Sequence, residues 1–163
     1  MIFEILHKSD TEGINEMSRM ATAIVRDYYD PIIGKEQNDY MLKLFQTPEA
    51  ISEQLEHGYR YYFARGNGKN LGFFAFYPRE NALYLSKLYL YKEERGKGYA
   101  REIMEFLKTQ ARELGFNRIE LNVNRNNDTR FIYEKLGFTV AWEEKNDIGN
   151  GFYMDDYVYA IEF

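Results

Sequence analysis

Between a strand-like run, Leu83-Tyr84-Leu85-Ser86-Lys87-Leu88-Tyr89-Leu90, and a helix-like run from about Ala100 to Leu114 stands the turn Arg95-Gly96-Lys97-Gly98-Tyr99-Ala100. A glycine-rich turn that opens a helix directs several backbone N–H groups at one spot, and the positive end of the helix dipole points there too. Arg95, Lys97 and Arg101 add cationic side chains. The place suits a phosphate or pyrophosphate. It is not a P-loop, because no Gly-Lys-Ser/Thr follows. It is a poor dinucleotide fingerprint, because Arg101 stands where a third glycine is needed and the preceding strands read as antiparallel.

The rest of the chain arranges itself around this turn. Residues 2–8 alternate and predict a first strand. Residues 12–29 carry Ile14, Met17, Met20, Ala21, Ile24 and Val25 at helical spacing, with Pro31 and Gly34 as breakers. A second helix is expected over about 36–46, and Thr47-Pro48 reads as the cap and first position of a third, ending near His57-Gly58. Tyr59–Arg65, Asn70–Tyr77 and Ala82–Tyr91 are aromatic-rich strands. They are joined by the turns Gly66-Asn67-Gly68-Lys69 and Pro78-Arg79-Glu80-Asn81. This meander leads into the glycine-rich turn and the long helix, which Gly115 ends. A strand over 117–123, a short helix over Asn126–Leu136 and two strands, Phe138–Trp142 and Tyr153–Phe163, complete the order. Strand, helix and strand around the turn predict a right-handed parallel crossover. The expectation is one α+β domain over 1–163 with a mixed sheet.

Composition narrows the chemistry. The 163 residues suffice for one sizeable core, and no run of about 18 apolar residues predicts a membrane span. The start of the chain lacks the layout of a signal peptide, so a cytoplasmic location is expected. With no cysteine there is no disulfide, thiolate metal site or cysteine nucleophile. A net charge of −5 disfavours a general nucleic-acid binder; it suits a cationic substrate only weakly, and plain solubility better. His7 and His57 stand apart, without ligand-like neighbours, so no metal site is expected.

A second motif sits downstream. Asn126 is followed by Tyr133-Glu134-Lys135-Leu136-Gly137-Phe138, which on its own reads more readily as a half-buried helix tyrosine, a cap and a core strand than as a site. Taken in order with Arg95-Gly96-Lys97-Gly98-Tyr99-Ala100, it makes the run from Leu83 to Phe163 resemble the GNAT superfamily of acetyl-CoA-dependent N-acetyltransferases. Arg95, Gly98 and Ala100 take the defining places of that family's Arg/Gln-x-x-Gly-x-Gly/Ala signature. The first half of the chain fits the family's order of elements but carries no motif.

The resemblance implies a mixed, mostly antiparallel sheet of about seven strands flanked by helices, with one splayed strand pair. It implies acetyl-CoA as co-substrate. The backbone of Arg95, Gly96, Lys97, Gly98, Tyr99 and Ala100 would hold its pyrophosphate, with Arg95 and Lys97 adding charge. Leu88, Tyr89 and Leu90 would line its pantetheine arm, and Asn126 would touch it. A backbone N–H in that strand would polarise the thioester carbonyl. An amine would attack directly, and Tyr133 would protonate the departing thiolate. The expected acceptor is a small-molecule primary amine, such as a polyamine, amino acid or amino-sugar. Homodimers are common among relatives, so a homodimer is an option here.

One departure stands out. Many family members carry a glutamate in the strand before the turn, whereas here the matching positions are Tyr84, Ser86 and Lys87. Lys87 would repel a cationic amine if it faced the pocket. The candidates for a base are Glu120, Asp155, Asp156 and water. Tyr28, Tyr29, Asp30 and Tyr153 are candidates for the acceptor pocket, with core packing the alternative for each. Met154-Asp155-Asp156-Tyr157 reads either as a paired acid that attracts a cation or as a solvated strand edge. The missing glutamate also leaves open a non-catalytic acyl-CoA sensor, and the acceptor could be a protein N-terminus or lysine. A third reading is a plain nucleotide-binding module.

Overall fold

Two Asn-Gly pairs set hairpins, one in each half of the chain. Asn67 and Gly68 both have positive φ, as do Asn150 and Gly151. Asparagine and glycine tolerate that region best, and such turns match the twist of antiparallel strands. The computed structural model describes residues 1–163. Its elements are β1 (Ile2–Ile5), α1 (Thr11–Ile33), α2 (Lys35–Phe45), α3 (Pro48–Glu56), β2 (Arg60–Gly66), β3 (Lys69–Arg79) and β4 (Ala82–Leu90). After a 3-10 turn, Lys92–Glu94, come α4 (Tyr99–Glu113), β5 (Arg118–Asn124), α5 (Arg130–Lys135), β6 (Thr139–Gly149) and β7 (Phe152–Glu162). The sheet has seven strands in the order β1-β2-β3-β4-β5-β7-β6. β4 and β5 run parallel, while β1–β2, β2–β3, β5–β7 and β6–β7 are antiparallel.

Two compact units divide the chain. The first comprises Met1–Tyr77 and Lys87–Lys97. In it Met17, Met20, Ala21 and Ile24 of α1, spaced to share one helix face, pack with Ile51, Tyr61, Phe63 and Phe73. Thr47 caps α3 by accepting from the Ala50 N–H at 3.1 Å, with Pro48 in the first turn. Gly72 lets β3 approach β4 closely. A Cβ there would lie 2.2 Å from the Tyr89 carbonyl oxygen and 2.9 Å from the Leu90 Cα.

The second unit comprises Pro78–Ser86 and Gly98–Phe163. Its core takes Ile103, Met104, Leu107 and Ala111 from α4, Ile119, Leu121 and Val123 from β5, and Val158 and Tyr159 from β7. The ladder between β4 and β5 consists of Leu83–Ile119, Tyr84–Glu120 and Leu85–Leu121. β4 runs on to Leu90 and β5 to Asn124.

Several expectations need correction; the first strand, for one, is only Ile2–Ile5. α1 passes through Pro31 and ends at Gly34, whose N–H reaches the Asp30 carbonyl at 3.1 Å. The proline removes only the bond to the Asp27 carbonyl, on an exposed residue that water can serve. α5 starts at Arg130 rather than Asn126, because the preceding residues bond their own backbone. Asn124 Oδ1 accepts from the Asn126 N–H and Asn127 Oδ1 from the Thr129 N–H, both at 2.9 Å. Pro78 and Arg79 extend β3, so the turn is only Glu80-Asn81. β7 is not an edge: it lies between β5 and β6, and Asp156 is 3% exposed. The edge on that side is β6, longer than expected at Thr139–Gly149, largely exposed, with two bulges and the charges of Glu143, Glu144, Lys145 and Asp147.

Candidate active site

The turn before α4 has the backbone that its sequence demands. Gly96 and Gly98 have φ of 78° and 86°. Gly98 is the N-cap of α4, and no side chain bonds the helix's first amides, so the N–H groups of the first turn stay available to a ligand. A Cβ at Gly96 or Gly98 would meet nothing within 4 Å, so glycine is required there for its conformation and not for space.

The cationic side chains of the turn are already engaged. Arg95 Nε donates to the Leu90 carbonyl at 3.2 Å, its guanidinium lies 3.7 Å from the Tyr28 ring centre, and Nη2 is 3.9 Å from Asp27 Oδ2. Arg95 thus ties β4 to α1. Lys97 lies 3.2 Å from Glu94, which also holds Lys69 at 2.7 Å. Hydrogen bonds from Lys69 first, then Lys97, keep the Glu94 carboxyl below its usual range. The sequence reading overlooked Glu94, a buried acid that braces the start of the turn. Tyr28, Tyr29 and Tyr89 pack on one another, with ring centres 5.7–6.4 Å apart.

The predicted residues of β4 occupy the end of the strand. Leu88 and Tyr89 are half-buried and Leu90 is 8% exposed. These three lie past the last rung of the β4–β5 ladder, which stops at Leu85. In the second unit Tyr133 is 8% exposed on α5, its ring 5.7 Å from Phe138 in an edge-on contact. Asn126 is exposed in the loop before α5. Tyr153 is exposed on β7.

The carboxylates differ sharply. Glu120 is held by Arg118 at 2.8 Å and Arg79 at 3.4 Å, and Asp155 by Arg125 at 3.2 Å. Asp156 has no such cation. Asn122 Nδ2 donates to it and to Glu144, each at 3.1 Å, and the Tyr84 hydroxyl donates to Asn122 Oδ1 at 2.8 Å. Burial raises the proton affinity of Asp156, and the nearby charges of Glu144 and Asp155 add to that. Glu144 is held low, first by the indole N–H of Trp142. A polar row thus crosses the sheet from Tyr84 on β4 to Asp156 on β7.

The sequence left open whether Lys87 faces the pocket, and the structure resolves it. Lys87 does not face an open pocket. It is 5% exposed, and its Nζ lies within hydrogen-bond distance of four oxygens: the Phe45 carbonyl at 2.7 Å, Gln46 Oε1 at 2.9 Å, Gln54 Oε1 at 3.0 Å and the Tyr61 hydroxyl. None of these is a carboxylate. Burial pushes the amine well below an ordinary lysine. The strand period carried a signal: Leu83, Leu85 and Lys87 share a face, and the two leucines are buried. No group of three or more His, Asp or Glu that could hold a metal ion is present.

The chain is similar to known proteins in sequence and in fold. The family described as Acetyltransferase (GNAT) family matches residues 21–138. An uncharacterized N-acetyltransferase of Bacillus subtilis (strain 168), YdgE, is 35% identical over 66 residues, which are 40% of this chain and 41% of that protein. The match therefore spans about two fifths of the length of this curated relative. The crystal structure of PaiA N-acetyltransferase from Thermoplasma acidophilum in complex with coenzyme A has the same fold, with a TM-score of 0.75 at 21% identity over all of both chains. The structure of YncA, a putative acetyltransferase from Salmonella typhimurium with acetyl-CoA, superposes with a TM-score of 0.62 at 21% identity, over 99% of this chain and 93% of that one.

Proposed function

The chain belongs to the acetyltransferase (GNAT) family, and from that premise we propose that it moves an acetyl group from acetyl-CoA to a primary amine of a small molecule. One observation carries the reading: the β4–β5 ladder ends at Leu85 while β4 continues toward a glycine turn that opens a long helix with uncapped amides. A pantetheine arm needs backbone groups to pair with, and a pyrophosphate needs converging N–H groups. Leu88, Tyr89 and Leu90 offer the first and Arg95–Ala100 the second. Two solved structures of this fold were determined with coenzyme A or acetyl-CoA.

The mechanism is direct attack. The deprotonated amine adds to the thioester carbonyl, whose oxygen takes a hydrogen bond from a β4 backbone N–H. The tetrahedral intermediate collapses, the C–S bond breaks, and the CoA thiolate takes a proton from the Tyr133 hydroxyl. Asp156 is the carboxylate best suited to receive the amine's proton through water, because burial raises its affinity and Asn122 links it to Tyr84. Arg95 orients the end of β4, and Asn126 supplies a further polar contact to the cofactor.

Release of free thiol from acetyl-CoA, measured against polyamines, amino acids, aminoglycosides and peptides, tests the reading. Turnover with a small amine supports it. Turnover with peptides alone makes this a protein acetyltransferase. Stabilisation by CoA with no turnover on any amine replaces the enzyme with a sensor.

A further inference from the structure

A lysine buried in a protein core usually has a carboxylate beside it. Lys87 has four neutral oxygens instead. Phe45 is the last residue of α2, and its carbonyl is one of those a helix leaves without an internal partner. That end of the helix dipole is negative and favours a cation. Gln46 is the C-cap of α2, Gln54 belongs to α3 and Tyr61 to β2. The partners brace one another. Gln54 Nε2 donates to the Phe45 carbonyl at 3.2 Å, the Tyr61 hydroxyl donates to Gln54 Oε1, and Ser18 Oγ of α1 donates to the Gln46 carbonyl at 2.6 Å.

We propose that Lys87 is a positioning residue for acetyl transfer: its protonated amine pins the α2–α3 connection and α3 onto β4, one residue before Leu88, and loss of that proton releases them. The inference rests on the acetyl-transfer reading, in which Leu88 to Leu90 hold the acyl arm and the first helices border the acceptor. An ammonium has three N–H donors for carbonyl and amide oxygens that can only accept. A neutral amine has two donors, and its lone pair then needs the Tyr61 hydroxyl to turn away from Gln54. The cluster loses one hydrogen bond and the positive charge that strengthens the others, and the tie loosens.

Tyr61 is the titratable side chain in contact with Lys87, and burial holds its proton on. α2 and α3 present only backbone and amide oxygens to the amine, and α1 enters through the Ser18 hydroxyl. The release therefore follows Lys87 itself, and burial brings it below the ordinary lysine value of 10.5. Protonated, the tie holds at lower pH; it is lost as the pH rises.

The test begins with the unaltered protein, by recording acetyl-CoA turnover against pH with spermidine and with the less basic glycinamide. The expected result is a falling limb in acceptor kcat/KM at the same pH for both amines. Lys87→Arg, which keeps its charge, should remove that limb. Lys87→Met should raise the acceptor KM about ten-fold at every pH and leave the acetyl-CoA KM within about two-fold. A limb that moves with the amine, or that persists in Lys87→Arg, overturns the proposal. If neither amine turns over, acetyl transfer to these acceptors fails, and the tie is read by hydrogen exchange at the Gln46 and Ala50 amides, corrected for intrinsic rate. Protection that falls with rising pH supports the pin, and flat protection overturns it. The wild-type measurements decide the matter even where a variant does not fold.

Discussion

Asp156 and Lys87 are both buried, yet only the lysine is fully surrounded by hydrogen-bond partners. Burial raises the folded pKa of Asp156 above its ordinary 3.8, so the folded chain prefers the carboxyl protonated. That preference is fully present below about pH 3.8 and is lost as the pH rises through the folded value. At neutral pH the buried charge then weighs against folding. Asp156→Asn should raise the urea midpoint at pH 7, with the gain shrinking as the pH approaches 4, while kcat falls for want of the proton acceptor. An unchanged midpoint at pH 7 would mean that Asn122 alone compensates the charge. Tyr133→Phe keeps the ring on Phe138 and removes only the hydroxyl, so turnover should drop by about 10²–10⁴ while calorimetric acetyl-CoA affinity holds. Equal losses in both would make Tyr133 a packing residue. At this scale the glycine turn was legible, because its positive-φ glycines and the helix start they set belong to one local motif. The setting of Lys87 was not, because its partners stand 26–42 residues away and none is charged.

Elements were easier to find than their ends. The start of the third helix was readable to the residue, since Thr47 and Pro48 act within one turn. The start of α5 was hidden, because a helical apolar spacing says nothing of asparagine side chains that capture nearby amides. Two glycines make separate predictions about elements. Gly72→Ala forces a methyl group into the backbone of β4 at Tyr89 and Leu90, and should cost about 1–3 kcal/mol in urea unfolding and weaken acetyl-CoA binding as well. Gly98→Ala meets no neighbour and suffers only from its positive φ, so about 1 kcal/mol is expected. If Gly98→Ala proves the costlier of the two, the close approach of β3 and β4 is softer than its geometry implies.

For the whole molecule, the order of strands and helices followed from period changes and turn residues, and the family from two motifs in sequence. The acceptor did not, because residues 12–65 carry no motif; Tyr28, Tyr29 and Tyr89 meet only once the chain is folded. No helix is long and apolar enough to cross a membrane. Binding of acetyl-CoA should act on the fold as a unit. At a hundred times its dissociation constant the ligand adds about 2.7 kcal/mol, which calorimetry should show as a rise in Tm of several degrees. No rise with acetyl-CoA, CoA or dephospho-CoA would sink the cofactor assignment.

The β4–β5 ladder has three rungs, and the margin of β4 beyond Leu85 has no rung to β5. Outer margins have guards, and Glu143, Glu144 and Lys145 stand on β6 as such. The inner one, Ser86 to Leu90, has a single charge, and Lys87 turns it inward. A stranger's strand can take root there, including one from another copy of the chain. Whatever pairs with that margin in the working protein also shields it. Concentrated stocks stripped of cofactor should therefore clump first, as light scattering with and without CoA will show.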